Sequence, residues 1–239
     1  MIKPMLKLDS KAQVGEKIRF TGFQSFITPN EPAISKVEFQ ADAAEPWITV
    51  GDPLDKTTWF MDWVYTSVGN KVPSIRITSG TLPGVTATES GAIEIVLAAD
   101  EKLFCSDESL LPQESDIILW LPEGRSTWNF IHRRVQQRIM EEIDKQRIFN
   151  VDGSKITLDQ VLDVSQFRDW AIYMALAMIF QSISRSVDDI ASEKMKYYES
   201  KQFEYMNFCM NLMRVDTNKD GVLTQEDEKG FRSTVMVKR

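Results

Sequence analysis

Apolar and polar positions alternate in short runs between residues 14 and 98. Alternation with a period of two is the pattern of a β-strand that buries one face. The runs at 75–77 (Ile-Arg-Ile) and 93–97 (Ile-Glu-Ile-Val-Leu) are examples, and turn-forming pairs such as Gly69-Asn70 separate such runs. This part of the chain therefore predicts a β-structure of about seven short strands.

One strand of this region is apolar on both faces. In TTWFMDWVYTS (57–67), Phe60 and Val64 lie on one side of the strand. The other side carries four large side chains, Trp59, Met61, Trp63 and Tyr65. Such a strand is expected in the middle of a packed sandwich, and residues 1–98 predict an immunoglobulin-like β-sandwich. An alternative role for the two tryptophans is an aromatic platform that binds carbohydrate.

The β-pattern ends at an acidic segment, ADEKLFCSDESLLPQESDIILWLPEG, which spans residues 99–124. It contains an apolar patch at 117–121 and a Pro-Glu-Gly turn at 122–124. A change of composition bounded by turn residues is typical of a boundary between domains. We therefore predict an acidic connector over 99–124.

From Ser126 onward the apolar positions recur with the period of an α-helix. Ser126 is expected to cap a helix that runs to about residue 147, and Thr157 with Gln160 forms a capping box for a short helix. The stretch 166–185 is apolar on nearly every face and predicts a central, buried helix. A longer amphipathic helix follows over 188–213, and its predicted buried stripe consists of Met195, Tyr198, Tyr205, Cys209 and Leu212.

The sequence thus predicts an α+β fold, in which an N-terminal immunoglobulin-like β-sandwich is followed by a C-terminal α-helical bundle. The predicted domains are the sandwich at 1–98, the acidic connector at 99–124 and the bundle at 125–214. A calcium-loop-like segment and a C-terminal tail complete the chain at 215–239.

Charge and composition exclude some classes of function. The chain has 239 residues and a net charge of −7. Residues 1–125 contain 11 basic and 18 acidic side chains, whereas the rest of the chain is neutral. We therefore expect no specific nucleic-acid binding. The chain lacks a long apolar stretch and an apolar N-terminal run, which predicts neither a membrane span nor export, and its two cysteines predict no disulfide framework.

No residue pattern for catalysis is evident. His132 is the single histidine, and no cysteine lies near it in sequence, so we expect a structural or interface role for this side chain. The adjacent carboxylates Glu141-Glu142 and Asp188-Asp189 point to different sides of a helix. None of the common nucleotide-binding, hydrolase or zinc-protease motifs occurs, and we predict that the chain is not an enzyme and has no catalytic residues.

The segment VDTNKDGVLTQEDE (215–228) resembles a twelve-residue EF-hand calcium loop that begins at Asp216. Gly221 stands at the sixth position, where such a loop turns sharply. The last ligand position carries Asp in place of the usual Glu, and in this it is similar to the single-loop sites of dockerin modules. The alternative is a turn held by Asn and Asp hydrogen bonds. The resemblance implies one structural Ca²⁺ (or Mg²⁺) per chain, with ligands Asp216, Asn218, Asp220, Val222, Thr224 and Asp227.

Residues 157–214, a capped short helix followed by an apolar helix and a helix with a Lys-Tyr-Tyr run, resemble the head–tail connector (adaptor, or neck) proteins of tailed bacteriophages. The resemblance implies a virion protein that assembles in the host cytoplasm as a ring, typically of twelve copies. Its partners would be the portal protein and the tail or neck proteins. DNA would pass through the ring, and the tail GFRSTVMVKR would reach into the portal.

Two other functions remain open from the sequence. One is an extracellular scaffold or adhesion module with a dockerin-like calcium site. The other is a calcium-dependent binding protein. A ring of about a dozen subunits distinguishes the connector from both, since neither alternative requires one.

Overall fold

A computed structural model describes residues 2–27, 33–80, 85–146, 148–184 and 189–223. The predicted α+β organisation is present: strands occupy the N-terminal part of these ranges and helices the C-terminal part. None of the helices within these ranges is long and apolar enough to cross a membrane.

The chain divides into two compact units. The first, which we name the β unit, consists of Met1–Glu101 together with Trp120–Thr127. The second, the helical unit, consists of Lys102–Leu119 together with Trp128–Arg239. The predicted connector at 99–124 is therefore divided between the units, because its apolar side chains are used in packing. Leu110 and Ile117, for example, are buried in the helical unit.

The described part of the β unit contains short strands, and some of them, such as those at 17–21 and 93–96, alternate between buried and less buried positions. They are β1 Ile2–Lys3, β2 Lys11–Gln13, β3 Lys17–Thr21, β4 Phe26–Ile27, β5 Ile34–Gln40, β6 Ile48–Thr49, β7 Phe60–Val64, β8 Gly69–Lys71, β9 Ser74–Ser79, β10 Val85–Ser90 and β11 Ile93–Val96.

These strands form separate small sheets around one core. The largest has the order β10-β9-β5-β6, with every pair antiparallel. In the sheet β2-β11-β8, β11 is parallel to β2 and antiparallel to β8. Strand β3 pairs with β7, and β1 pairs with β4. The core contains buried side chains from the four-stranded sheet, the three-stranded sheet and the β3–β7 pair, such as Phe20, Val37, Phe39, Ile77 and Ile95.

The apolar strand predicted at 57–67 is β7, and only one of its faces enters the core. Trp59, Met61 and Tyr65 are buried as predicted. The prediction that both faces are packed is wrong, since Val64 is exposed and Phe60 lies under the guanidinium group of Arg19, 3.9 Å from the ring centre. A polar neighbour thus takes the place of the expected second apolar layer.

A strap formed by residues 120–127 lies over β3 and β7. Arg19 is paired with Asp62 on the neighbouring strand, at 2.7 Å, and with Glu123 of the strap, at 3.5 Å. Arg125 forms an ion pair with Asp9. Ser126, predicted to cap a helix, instead accepts the backbone N–H of Lys17 through its hydroxyl oxygen at 3.0 Å. These contacts fasten the strap to the β unit.

The described residues of the helical unit form one short and three long helices. Apart from 3-10 turns, its described elements are α1 Asp107–Leu110, α2 Asn129–Lys145, α3 Arg168–Ile183 and α4 Ile190–Leu212. The Thr157–Gln160 capping box is present, although it caps a single 3-10 turn at Leu158–Gln160. Asp189 caps α4 by accepting the N–H of Ser192 at 2.6 Å.

Helix α3 is the central helix, as its sequence predicts, and it packs antiparallel to α4. Tyr173 of α3 lies 4.8 Å from Tyr205 between ring centres, and Phe180 stacks on Tyr198 at 5.7 Å. Tyr198 and Cys209 of the predicted α4 stripe are buried. The inclusion of Leu212 in that stripe is wrong, since its side chain is exposed.

Candidate functional site

The predicted cation loop follows α4 directly. Met213 and Val215 are buried and anchor its start. Asp216, the first predicted ligand, is also buried, and its carboxylate accepts the backbone N–H groups of Asp220 at 3.2 Å and Gly221 at 2.8 Å. Gly221 has a φ of 79°, the left-handed conformation that the turn requires. The first ligand position is thus held in place by the loop's own backbone.

The next two ligand positions are organised in the same way. Asn218 accepts the N–H of Asp220 through Oδ1 at 3.2 Å, and Asp220 accepts the N–H of Val222 through Oδ1 at 2.8 Å. The Asn218 amide also donates to Asp220 Oδ2 at 3.0 Å. An oxygen that accepts one N–H keeps a further lone pair for a cation, and these donors are of the type that a hard cation such as Ca²⁺ takes.

The remaining predicted ligands are only partly placed. The side chain of Val222 is exposed, and the backbone carbonyl of this residue is the predicted ligand atom. Thr224 and Asp227 lie outside the described residues. Within the described ranges, no three His, Cys, Asp or Glu side chains lie together so as to hold a metal ion. The described ligand positions carry oxygen atoms of the predicted type, and the bound cation stays a prediction.

A buried amide pair ties this loop to the segment between α2 and α3. The Gln160 side-chain amide donates to the backbone carbonyl of Asp216 at 2.6 Å and to Asn150 Oδ1 at 2.5 Å. The N–H of Asp216 in turn donates to the carbonyl of Gln160 at 3.0 Å. Because both amide side chains are buried, these hydrogen bonds are shielded from water. The sequence indicated Gln160 only as part of a capping box.

Lys219 makes a second connection to the same segment. Its ammonium group lies 2.9 Å from Asp152 Oδ2 and 3.1 Å from Ser154 Oγ, and the N–H of Val151 donates to the carbonyl of Thr217 at 3.1 Å. Hydrogen bonds from Ser154, together with the Lys219 ammonium, hold the pKa of Asp152 below its usual range. The predicted cation loop is therefore joined to residues 150–160, and no sequence motif predicts that contact.

His132 lies in a second polar cluster, which is buried. Its Nδ1 is 3.1 Å from Cys105 Sγ, and its Nε2 is 2.8 Å from Asp107 Oδ1. The sequence places these residues far apart, so the contact with a cysteine was not predicted. Asp107 also accepts the backbone N–H of Trp128, at 3.1 Å, at the start of α2.

The order Cys–His–Asp is that of a nucleophile, a base and an orienting carboxylate, but the environment does not activate the thiol. Burial, with the Asp107 carboxylate nearby, raises the pKa of the Cys105 thiol to about 12. The thiol is therefore protonated at neutral pH, whereas a nucleophile needs the thiolate. The two ring nitrogens of His132 point in opposite directions, toward Cys105 and Asp107, and cannot direct them onto one metal ion. The cluster fastens the segment before α1 to α2.

The tryptophans proposed as a carbohydrate platform do not form one. Trp59 is only 1% exposed, and its indole N–H donates to the carbonyl of Asp52 at 2.9 Å. A sugar cannot stack on a ring that is enclosed by the core. Trp63, which lies four residues further along on the same face, is half-buried, so the pair offers no flat exposed surface.

Among the described residues of the helical unit, large exposed apolar side chains occur close together in the chain, or on one side of a helix, at three places. Leu111, Ile118 and Leu119 form what we name the turn surface, and Phe149 with Val151 forms the loop surface. Leu119 is 82% exposed and Val151 83%. The third place is one side of α4, with exposed Ile190, Tyr197, Phe208 and Leu212. Clustered exposure of this kind is typical of interaction surfaces.

Comparisons with known proteins leave the family open. No protein-family model and no curated protein matches the chain. Among solved structures, carbohydrate-binding modules of the β-sandwich superfamily match 41% of this chain and 35% of their own, at 15% identity and a TM-score of 0.33.

Two PKD domains also match. The domain of an M14-like peptidase from a Thermoplasmatales archaeon aligns with 39% of this chain and 93% of its own length, at 13% identity and a TM-score of 0.29. The PKD1 domain of Vibrio anguillarum Epp aligns with 40% of this chain and 95% of its own, at 14% identity and a TM-score of 0.28. Scores this low carry no conclusion about function.

Proposed function

We propose that the chain is a structural virion protein, a connector that assembles as a ring on the portal of a tailed phage and joins head to tail. The observation that carries the proposal is the presence of separate apolar surfaces on one helical unit, the turn surface and the loop surface. A ring closes through contacts between two different surfaces of each copy. A chain that exposes two such surfaces has what a ring contact requires.

The part of the sequence that resembles phage connectors supports the proposal. Residues 157–214 form a capped turn followed by the antiparallel helices α3 and α4. Tyr198 of the Lys-Tyr-Tyr run packs inside the unit, where it stacks on Phe180, while Tyr197 stays exposed. One tyrosine thus contributes to the fold and the other is open to a partner.

The charge distribution agrees with a channel for DNA. All of the excess negative charge lies within residues 1–125. An acidic lining repels the phosphate backbone and lets DNA move without being held. In the proposed ring, the acidic half of each chain lines or borders the channel.

The β unit is proposed to be an immunoglobulin-like sandwich. Antiparallel sheets that bury their inner faces against one core are the architecture of that fold, and the sheet β10-β9-β5-β6 contributes Val37, Phe39, Ile75 and Ile77 to such a core. The C-terminal tail at 230–239, proposed to enter the portal, lies outside the described residues.

Electron microscopy of negatively stained protein, alone and mixed with the phage portal protein, tests the connector. We expect rings of about twelve copies that dock on the portal. Leu119→Ser and Val151→Ser should each prevent rings, because each removes an apolar contact from one surface. Leu54→Ser is the matched control, since Leu54 is 77% exposed but belongs to the β unit.

A monomer that binds glycans or a cohesin-like partner and never forms rings would contradict the connector. That result would favour the scaffold or adhesion alternative. Rings that persist in both helical-unit variants would contradict the assignment of the two surfaces.

A further inference from the structure

One side of α4 carries several large, exposed apolar side chains. At 3.6 residues per turn, the exposed apolar side chains of α4 lie within about 60° of one another. Each of them is more than half exposed: Ile190, Tyr197, Phe208 and Leu212. Two apolar residues toward each end of one side of a 23-residue helix offer contacts to another helix.

Two charged residues lie in the middle of this side. Lys201 and Glu204 stand between Tyr197 and Phe208 along α4, and within the chain they form a 2.8 Å ion pair at the surface. Exposed pairs of this type contribute little to the stability of a single chain. Opposite charges at the centre of an apolar side are, however, a strong constraint on which helix packs there and in which direction.

An antiparallel second copy satisfies these positions in one register. Tyr197 of each copy then faces Phe208 of the other, and Lys201 faces Glu204. Both pairs are centred on one point of the helix, between residues 202 and 203. Positions 201 and 208 are seven residues apart, as are 197 and 204, so each aromatic side chain lies one heptad from a charged one on the same side of the helix.

The parallel arrangement is excluded by charge. In a parallel pair, Lys201 would face Lys201 and Glu204 would face Glu204, and like charges at such positions are destabilising. The antiparallel arrangement instead matches aromatic with aromatic and acid with base. The sequence of α4 therefore selects both the partner and its direction.

We propose that two copies of the chain associate through antiparallel α4 helices, with Tyr197 packed on Phe208 and Lys201 paired with Glu204 across a twofold axis. The proposal rests on α4 alone and is independent of the connector function. A twofold contact does not close a ring, so in a connector this pair is the form of the free protein before it meets the portal.

Charge reversal at the seam tests the proposal. Lys201→Glu and Glu204→Lys each place like charges across the axis, and we expect each variant alone to raise the dimer dissociation constant by about tenfold or more. An equal mixture of the two variants should form heterodimers, since one chain then carries two acids and the other two bases. Sedimentation velocity, with one variant labelled, measures both results.

The doubly reversed variant, Lys201→Glu with Glu204→Lys, is the first control. It keeps opposite charges both within the chain and across the axis, so its dimer should be as stable as that of the original protein. Recovery in the mixture also shows that each single variant is folded, because a misfolded helix cannot be rescued by a complementary copy.

Phe203 supplies the second control. It is 57% exposed, against 61% for Phe208, but lies about 140° around the helix from it. Phe208→Ser should therefore weaken the dimer, whereas Phe203→Ser should leave it unchanged.

The proposal fails if the protein is monomeric at tens of micromolar, if the mixed variants stay monomeric, or if the two phenylalanine variants behave alike. If rings form on the portal but the charge variants dimerise like the original protein, the connector proposal is supported and the α4 pair is contradicted. If the protein forms charge-dependent dimers but never forms rings, the α4 pair is supported and the connector proposal is contradicted.

Discussion

At the scale of single residues, Gly124 shows how closely the strap is fitted to the β unit. Its φ is 82°, and a Cβ atom built there would lie 2.3 Å from Arg19 Nε and 2.6 Å from Asp62 Oδ1. Arg19 cannot move aside without cost, since Asp62 binds it through two oxygens and Phe60 lies beneath it. Only glycine fits both the backbone angle and the space.

We expect Gly124→Ala to lower the free energy of unfolding of the β unit by about 3 kcal/mol, from the strained backbone and the overlap together. Gly15→Ala is the control, because Gly15 has a similar φ of 83° and open space around it. Gly15→Ala should lower the free energy of unfolding by about 1 kcal/mol, because only the left-handed backbone conformation is unfavourable there. Denaturant titration measures both, and equal losses would contradict the fit of the strap.

The environment of Tyr198 predicts that the protein loses stability at alkaline pH. Burial, with the hydrogen bond that its hydroxyl donates to Glu114, raises the pKa of Tyr198 above its ordinary value. Since the folded-state pKa lies above the unfolded value of about 10, this contribution to stability is complete below pH 10 and is lost as the pH rises through the folded pKa.

The free energy of unfolding should therefore fall above about pH 10, by up to about 1.4 kcal/mol per pH unit for this one group. Tyr198→Phe should reduce that slope, and Tyr197→Phe, a neighbouring change at an exposed position, should not. Denaturant melts from pH 9 to pH 12 give the slopes. Parallel slopes for all three proteins would refute the role of Tyr198.

At the scale of elements, the long helices are predictable from sequence and the contacts between distant segments are not. Helices α3 and α4 lie within the predicted ranges 166–185 and 188–213, because an apolar pattern repeated over several turns is a strong local pattern. The start of α2 was predicted wrongly. Its cap is Trp128, since the Ser126 hydroxyl is engaged by β3.

In the candidate site too, the local pattern is predictable from sequence and the contact with a distant segment is not. The spacing of Asp216, Asn218 and Asp220 predicts a loop with converging oxygens, which is a local property. The attachment of this loop to Asn150 and Gln160 joins segments some 60 residues apart, and a single sequence has no pattern for such a pairing. For the same reason the contact of His132 with Cys105 was missed.

Gln160 is expected to hold the loop in place. Gln160→Ala removes donors from the Asp216 carbonyl and from Asn150 in a buried position, at an expected cost of about 2 kcal/mol. Amide hydrogen exchange at 213–222 should become faster. Asp159→Ala, in the same turn, is the control. Unchanged exchange in Gln160→Ala would show that the loop is held by other contacts.

Calcium is expected to stabilise the same element. A ligand at one hundred times its dissociation constant adds about 2.7 kcal/mol to the folded state, so added Ca²⁺ should raise the melting temperature and a chelator should reverse the rise. Asp216→Asn should remove the response. Asp152→Asn, a carboxylate beside the loop but outside the ligand set, should keep it. A melting temperature that does not change when Ca²⁺ is added would exclude a structural ion.

At the scale of the whole molecule, the chain passes between its two units three times, after Glu101, Leu119 and Thr127. A cut at one bond therefore cannot separate complete units. Residues 1–101 lack the strap with its contacts from Glu123, Arg125 and Ser126.

We expect a fragment of residues 1–101 to unfold at lower denaturant than the β unit of the intact chain. Joining 1–101 to 120–127 through a Gly-Ser linker in place of 102–119 should restore the midpoint, because the linker returns the strap without the helical segment. Circular dichroism of the strand signal follows both fragments. Equal midpoints would mean that the strap adds nothing to the β unit.

The interrupted β unit has a consequence for synthesis on the ribosome. The last strand among the described residues ends at Val96, but the strap follows it by more than twenty residues. At a translation rate of about 5–20 residues per second, the strap emerges roughly 1–5 s after the strands that it covers. During that interval the strands of the β unit have been synthesised but the strap that contacts them has not. The β unit can therefore complete its folding only after part of the helical unit has been made.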